Sequence, residues 1–388
     1  MYESYFTEEH RHFREGFRSF LQKEVVPNID KWEADGHIDK TIWEKFGEMG
    51  YFGIDYPESY GGMALDKFYT TIWLEEMQRV NSGGFAAAMW AHAFLAMQHL
   101  NAEGDEQIKE KYLKPSIEGK KIGCLCISEP FAGSDVAAMR TTALKQGDAY
   151  IINGSKTFIT NGVYSDYLVV SAKTAPTEKS KGISIFVIDR DTPGINATKL
   201  NKLGWRASDT AEIAFDNVHI PASNLLGEEN AGFYYLMQHL ALERIIMAIN
   251  AHARSEYAIE YTRQYMAERT AFGRSLDNFQ ALRHRIVELC TEVEIVKCFN
   301  YTVVDQLNKG NYVVKEASMA KLQATKVADQ VMTECLQMLG GYGYMEDYPL
   351  ARMFRDSRLG PIGGGTSEIM KEVLAKIIID KADYKPST

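Results

Sequence analysis

The sequence contains little proline and little cysteine. Ten prolines among 388 residues leave long stretches without a residue that breaks helices, which favours a helix-rich chain. The five cysteines are odd in number, and Cys124 and Cys126 form only a C-x-C pair. Neither a disulfide framework nor a zinc pattern is indicated. We therefore expect a reducing compartment and no metal site.

The sequence also lacks a long apolar run and an excess of positive charge. No segment approaches the roughly 20 apolar residues of a membrane-spanning helix, and the nearest, residues 233–249, is interrupted by Glu243 and Arg244. The N-terminal residues have neither the basic nor the apolar segment of a signal peptide. The net charge of -9 disfavours binding to nucleic acid, which requires a basic surface. These absences predict a soluble, cytoplasmic protein with no integral membrane association.

The arrangement of helical and strand-like patterns divides the chain into three parts. A length of 388 residues predicts two or three domains. Amphipathic helical patterns fill the first part, short alternating segments the second, and long amphipathic runs the third. We place the boundaries near residues 119 and 231, which gives an α+β multi-domain protein. Its predicted domains are 1–119 (helical), 120–230 (β) and 231–388 (helical).

Two local signals mark the ends of predicted elements. Thr7 precedes Glu8 and Glu9, the pattern of an N-cap followed by acidic residues in the first helical turn. Asn153-Gly154 separates two strand-like segments, 149–153 and 156–160, and predicts a hairpin turn between them.

The third part contains four long helical runs, at 234–268, 281–309, 312–339 and 367–382. Strands and helices do not alternate, so a Rossmann fold is excluded.

Two loop segments have both a functional and a plain structural interpretation. Gly360–Glu368 is rich in glycine and precedes a helical run, with Thr366 or Ser367 as its N-cap. It predicts either an anion site at a helix N-terminus or an ordinary loop-to-helix turn. Ile127–Asp135 follows a strand and collects hydroxyl and turn residues. It is either a ligand-binding loop or an exposed surface loop.

Glu243 lies next to Arg244 within an otherwise apolar helical run. A carboxylate in such surroundings is costly unless it is paired or used. One interpretation is a structural ion pair with Arg244 or another cation. The other is a desolvated base whose pKa is raised toward the working pH.

Taken together, six segments in this order resemble the acyl-CoA dehydrogenase family of flavoproteins, with the long-chain and isovaleryl-CoA dehydrogenases as the most similar branches. The resemblance covers essentially the whole chain. The six segments are Ile127–Asp135, Asn153–Gly162, Pro221–Asn230, Arg269–Gly273, Gln337–Gly341 and Gly365–Ile369. The family implies an N-terminal helical domain, a middle β-domain and a C-terminal four-helix-type bundle. It also implies bound FAD and assembly as a homotetramer, a dimer of dimers.

The resemblance assigns expected roles to individual residues. The flavin ring is expected to contact Ile127 and Ser128 and to lie against Phe158, Ile159 and Thr160. Ser134 is expected near the phosphate-bearing part of the site and near the substrate, and Thr366 and Glu368 on the pyrophosphate side. The adenine end is expected to be held, from the neighbouring subunit, by Arg269, Phe272, Gln280, Gln337, Gly340 and Gly341.

The implied reaction is α,β-dehydrogenation of an acyl-CoA thioester, with electrons passed to an electron-transferring flavoprotein. Many family members carry the catalytic base as a glutamate directly before Gly-Thr, but here that position is Gly364. In the long-chain and isovaleryl branches the base matches Glu243, which favours the functional interpretation of this residue. Gly364 retains a backbone N–H for the developing enolate, and Arg244 and Gly365 are expected beside the substrate. An acyl-CoA oxidase that uses O2 and a non-catalytic relative of the same fold are the alternatives.

Overall fold

The structure, a computed structural model, describes residues 3–382 and follows the predicted order of helices, strands and helices. Thr7 caps the first helix: its side-chain oxygen accepts from the backbone N–H of His10. Aromatic side chains fill the core of the first part, with Phe17, Phe46 and Trp73 fully buried. Its helices are α1 (Glu8–Phe20), α2 (Ile29–Asp35), α3 (Lys40–Glu48), α4 (Lys67–Gln78), α5 (Gly83–Ala91), α6 (Met97–Glu103), α7 (Glu106–Ile108) and α8 (Lys114–Ile117).

The middle part is a predominantly antiparallel sheet of eight strands in the order β6-β7-β3-β2-β4-β5-β8, with β1 added in parallel to β4. Inward-facing residues of β4 and β5, such as Leu168 and Phe186, are completely buried. The strands are β1 (Gly123–Cys126), β2 (Thr142–Gln146), β3 (Ala149–Thr160), β4 (Tyr167–Lys173), β5 (Ile183–Asp189), β6 (Ile195–Lys199), β7 (Thr210–Pro221) and β8 (Leu225–Leu226).

The predicted hairpin turn at Asn153-Gly154 is wrong. Strand β3 continues through both residues, and its pairing with β7 shifts register between Ile152 and Gly154. This is a β-bulge, which takes the same kind of conformationally free residue as a turn. Gly154 has a φ of 146° there. The hairpin turn lies instead between β2 and β3, where Gly147 has a φ of 61° and Gln146 pairs with Ala149.

The third part consists of long helices, as the amphipathic runs predict. Helix α9 (Gly232–Glu268) packs along α11 (Val314–Leu339) and α10 (Gln280–Asn308). A small hairpin of β9 (Thr270–Ala271) and β10 (Arg274–Ser275) connects α9 to α10. The chain ends with α12 (Pro349–Ser357), a glycine-rich loop and α13 (Ser367–Ile378).

One buried carboxylate joins all three parts of the chain. Asp356 on α12 accepts from the backbone N–H of Gly83 at the start of α5 (2.8 Å). Its other oxygen accepts from the N–H of Trp205, between β6 and β7 (2.6 Å). Asp356 is only 3% exposed, so these bonds are shielded from water and fix the helical and β parts relative to one another.

Candidate active site

Glu243 lies on α9, directly before Arg244. Arg244 is buried and donates from Nη1 to Ser318 Oγ on α11 (3.1 Å). Burial raises the pKa of the Glu243 carboxyl to about 7, while the charges of His239 and Arg244 act in the opposite direction. A carboxyl with this pKa can exchange a proton at neutral pH.

His239, one helical turn before Glu243, belongs to a cluster that the sequence spacing did not reveal. His99 Nδ1 and His239 Nε2 contact different oxygens of Glu103, at 3.1 and 3.0 Å. Burial would raise the pKa of Glu103, but the hydrogen bonds from both histidines outweigh it and lower the pKa. The ligand-type atoms lie within 4.8 Å of one another. Because each histidine already bonds the carboxylate, the cluster is satisfied by its own hydrogen bonds.

The glycine-rich loop approaches α9 one turn after Glu243. Gly364 and Gly365 have φ values of 61° and 88°, a region that glycine occupies without strain. A Cβ added to Gly364 would lie 3.5 Å from Met247 Cγ. The structure therefore brings Gly364, predicted as an enolate donor, to the segment of α9 that carries the predicted base.

Lys321 on α11 is a residue of this site that the sequence reasoning missed. It is completely buried, and its Nζ donates to the carbonyl oxygen of Gly365. Burial, reinforced by the charge of Arg244, lowers the pKa of Lys321 to about 8, whereas Glu368 opposes the shift. The available signal was a lysine on the apolar face of α11, between Ala317 and Ala324.

The loop that follows β1 is attached to β3. The backbone N–H of Thr157 donates to the carbonyl of Ser128 (2.8 Å), and Lys156 Nζ donates to the carbonyl of Ile127 (3.0 Å). Lys156 also contacts Glu129 at 2.8 Å, and both side chains are buried. This ion pair lies within two of the recognisable segments and fixes the backbone where flavin contacts are expected. Neither member was singled out from the sequence.

Next to this loop, β3 presents an aromatic ring to the outside. Phe158 has a φ of 62° and is 72% exposed. Ile159 is buried, Thr160 is half-buried, and Ser134 lies on an exposed stretch of the preceding loop. Because Thr157 bonds Ser128, the predicted flavin-ring residues of the two segments are neighbours.

The residues predicted for the adenine end lie at the other end of α9. Arg269 sits 5.6 Å from the ring centre of Tyr342, which brings the β9–β10 hairpin to the Gly340–Tyr344 turn. Phe272, at the hairpin tip, is 96% exposed, and Gln280, Gln337, Gly340 and Gly341 are exposed as well. Glu243 and Arg269 are 26 residues apart, or about 39 Å at 1.5 Å per helical residue. The predicted base and the hairpin that carries Arg269 and Phe272 are therefore separated by most of the length of α9.

At the start of α13, Thr366 is the N-cap. Its side chain accepts from the N–H of Ile369 (3.2 Å), and the exposed Glu368 lies in the first turn. A helix N-terminus presents backbone N–H groups and a positive end of the helix dipole, which suit a phosphate. Of the two N-cap candidates, the structure selects Thr366.

The residues present fit an FAD molecule on two observations. Phe158 holds a large apolar ring in solvent beside the Ser128 loop, where a flat heterocycle would cover it. Gly364 and Gly365 leave the backbone of the glycine-rich loop without side chains. The position of the flavin between the β part and the glycine-rich loop stays a prediction.

Known proteins are similar to this chain over most of its length. Family models match at residues 7–120 (acyl-CoA dehydrogenase, N-terminal domain), 124–218 (middle domain) and 230–379 (C-terminal domain). The mitochondrial long-chain specific acyl-CoA dehydrogenase of Mus musculus is 40% identical over 382 residues, covering 96% of this chain and 87% of that protein. The mitochondrial isovaleryl-CoA dehydrogenase of Pongo abelii is 36% identical, covering 95% and 88%.

Solved structures show the same fold. An acyl-CoA dehydrogenase from Geobacillus kaustophilus has a TM-score of 0.94 and 42% identity, covering 97% of this chain and 99% of that one. A structure described as the electron-transferring flavoprotein of Acidaminococcus fermentans gives 0.93 and 35%, covering 96% and 98%. A glutaryl-CoA dehydrogenase from Mycobacterium smegmatis in complex with FADH2 gives 0.91 and 27%, covering 98% and 97%.

The chain belongs to the acyl-CoA dehydrogenase family. It is an FAD-dependent oxidoreductase with the N-terminal helical, middle β and C-terminal helical domains of that fold. The limits of the three domains, at 119 and 230, stay predictions. Within residues 3–382, no helix is both long enough and apolar enough to cross a bilayer.

Proposed function

We propose that the protein dehydrogenates an acyl-CoA thioester to the trans-2-enoyl-CoA, with Glu243 as the base and an electron-transferring flavoprotein as the acceptor. The observation that carries the proposal is the position of Glu243 on α9, one turn from Met247, which lies beside Gly364. This contact supports a shared site for the base and the backbone donor, because it brings the glycine-rich loop to the segment of α9 that carries Glu243.

The carboxylate of Glu243 removes the proton from the α-carbon of the substrate. A bound FAD would supply the acceptor for the hydride that leaves the β-carbon. A base with a pKa of about 7 is half ionised at neutral pH, and it binds a proton more strongly than an ordinary glutamate does. Loss of such a base lowers the rate by about 10²- to 10⁴-fold in other enzymes.

The backbone N–H of Gly364 donates to the thioester oxygen as negative charge develops there. Within residues 3–382, the N–H groups of Gly364 and Gly365 donate to no protein acceptor. A prearranged donor of this kind contributes most when the site excludes water. Gly365 and Arg244 border the acyl side, and the absence of side chains at Gly363–Gly365 leaves room next to the reacting carbons.

The flavin-binding roles proposed for the chain fall into three groups, for the ring, the phosphates and the adenine end. Ile127, Ser128, Phe158, Ile159 and Thr160 hold the ring, a role supported by their adjacency at the end of β1 and in β3. Ser134 serves the phosphate-bearing part, and Thr366 and Glu368 serve the pyrophosphate. The 39 Å of helix between base and hairpin supports a partner subunit as the source of the adenine-end residues, which are Arg269, Phe272, Gln280, Gln337, Gly340 and Gly341.

We also propose a homotetrameric assembly. Helix α10 carries Val287, Ile295 and Phe299 on one side, at 63%, 65% and 37% exposure. An apolar stripe of this kind supports a subunit interface. The mass in solution, measured by light scattering, tests the number of subunits. The cytoplasmic location stays a prediction, because the long-chain and isovaleryl-CoA relatives are named as mitochondrial enzymes.

The test of the reaction is anaerobic titration of the FAD-bound protein with straight and branched acyl-CoAs, followed by bleaching of the flavin absorbance. We expect Glu243→Gln to retain FAD. The rate at which acyl-CoA bleaches its flavin should fall by about 10²-fold or more. Glu268→Gln, at an exposed position of the same helix, is the matched control. Near-normal bleaching in Glu243→Gln would exclude the assigned base.

The electron acceptor needs a separate measurement. We expect the reduced protein to be reoxidised by an added electron-transferring flavoprotein and to recover slowly in air. Rapid recovery in air alone would indicate an oxidase. No bleaching with any thioester would indicate a non-catalytic relative.

A further inference from the structure

The two glycines that carry the proposed enolate donor have little to hold them in place. Glycine has the largest conformational freedom of any residue. The turns on either side are fixed: Gly363 N–H donates to Leu359 O (2.8 Å), and Ser367 N–H donates to Pro361 O (2.9 Å). Between them, among the described residues, the polar contact made by Gly364 or Gly365 is that of the Gly365 carbonyl with Lys321.

Lys321 is an unusual residue to contact the Gly365 carbonyl from a buried position. Its side chain is 0% exposed, although a buried ammonium is costly unless it is paired or serves a function. The charged groups that face it are Arg244 from α9 and Glu368 from α13. The charge of Arg244 repels the ammonium of Lys321, and the charge of Glu368 attracts it.

We propose that Lys321 is a positioning residue for the dehydrogenation: its ammonium holds the Gly365 carbonyl and thereby directs the N–H of Gly364 toward the thioester oxygen. The inference rests on the proposed role of Gly364. Lys321 does not touch the substrate. Its effect is on the orientation of two peptide units that would otherwise sample many conformations.

This role has a pH signature. Burial and the charge of Arg244 lower the pKa of Lys321 to about 8, with Glu368 opposing. Below that pH the ammonium donates strongly to the carbonyl, whereas above it the neutral amine is a weaker donor. We therefore expect the rate of flavin reduction to rise with ionisation of Glu243 near pH 7 and to fall as Lys321 loses its proton near pH 8.

The experiment compares Lys321→Met, Lys321→Arg and the control Lys326→Met, which removes an exposed lysine from the same helix. The FAD-bound proteins are mixed anaerobically with the best acyl-CoA, and the rate of flavin bleaching is followed from pH 6 to pH 10. We expect Lys321→Met to be about 100-fold slower, the cost of a reacting group misplaced by about 1 Å. Lys321→Arg should retain most of the rate of flavin bleaching. Its rate should no longer fall above pH 8 (the falling limb of the pH profile), since a guanidinium stays charged.

A second readout does not depend on turnover. Acetoacetyl-CoA has α-protons acidic enough to ionise without flavin reduction, so the absorbance of its enolate reports how well the site stabilises that charge. We expect the pKa of the bound thioester to rise in Lys321→Met and to be unchanged in Lys326→Met. A merely structural lysine would alter FAD content or stability and leave this pKa in place.

The outcomes separate the inference from the proposed function. If Lys321→Met reduces flavin at the wild-type rate, with the same falling limb and enolate pKa, Lys321 has no positioning role. If Lys321→Met does not bind FAD, Lys321→Arg decides: a falling limb that remains near pH 8 overturns the inference. Full activity of Glu243→Gln would instead refute the proposed base, whatever the Lys321 variants do.

Discussion

The raised pKa of Glu243 has a consequence for stability that can be measured without substrate. Replacement by glutamine removes the titration and retains the size of the side chain. A carboxyl with a pKa of about 7 in the folded protein and 4.5 ordinarily favours folding in its uncharged form. This contribution is complete below pH 4.5 and is lost as the pH rises through 7.

The size of the effect follows from the two pKa values. Between pH 5 and pH 8, wild type should lose about 2.5 kcal/mol of stability relative to Glu243→Gln. For a chain of 388 residues this corresponds to a relative change in Tm of about 3 °C. The sign is opposite to that of a carboxylate in a stabilising ion pair, which loses stability as the pH falls.

The assay is thermal unfolding of FAD-bound wild type, Glu243→Gln and Glu268→Gln at half-unit steps from pH 5 to pH 8. We expect the Tm of Glu243→Gln to rise relative to wild type with increasing pH, and that of the exposed control Glu268→Gln to follow wild type. A constant difference between Glu243→Gln and wild type would show that Glu243 has no raised pKa, and the argument for its role as base would lose its electrostatic support.

Two further substitutions test the buried polar contacts. Asp356→Ala leaves the N–H groups of Gly83 and Trp205 without acceptors. We therefore expect the free energy of unfolding to fall by about 2–4 kcal/mol, seen as a lower Tm. An unchanged Tm would show that Asp356 does not fix the three parts of the chain to one another. Burial would raise the pKa of Glu75, but the hydrogen bond with His252 and the charge of Arg14 outweigh it and lower the pKa to about 2. Its stabilisation is complete above pH 4.5 and declines as the pH falls. Glu75→Gln should therefore destabilise the protein by on the order of 3 kcal/mol at pH 7, with a difference in Tm that narrows toward pH 3; a difference that widens would refute the assignment.

The sequence was most informative where a pattern repeats over many residues. The long runs near 234–268 and 312–339 correspond to α9 and α11 within two residues at each end, because an apolar stripe with helical spacing must face a core. Thr7 was a sufficient local signal because its cap bond joins neighbours in the chain.

Local signals failed where two structures require the same residue types. Asn153-Gly154 satisfies the backbone of a hairpin turn and that of a β-bulge, and only the pairing of β3 with β7 decides between them. Lys321 was missed for a different reason. Its partner Gly365 is 44 residues away, and no periodicity connects a lysine on one helix to a carbonyl on a later loop.

The length of α9 has a genetic consequence. If Arg269 and its hairpin complete the site of a neighbouring subunit, one helix contributes to two catalytic centres. A subunit with Glu243→Gln and a subunit with a disabled hairpin would then be inactive as separate assemblies. In a mixed pair, one centre would receive both defects and the other would receive neither. Co-expression of the two inactive variants should therefore restore part of the activity, a complementation between alleles that independent subunits could not produce.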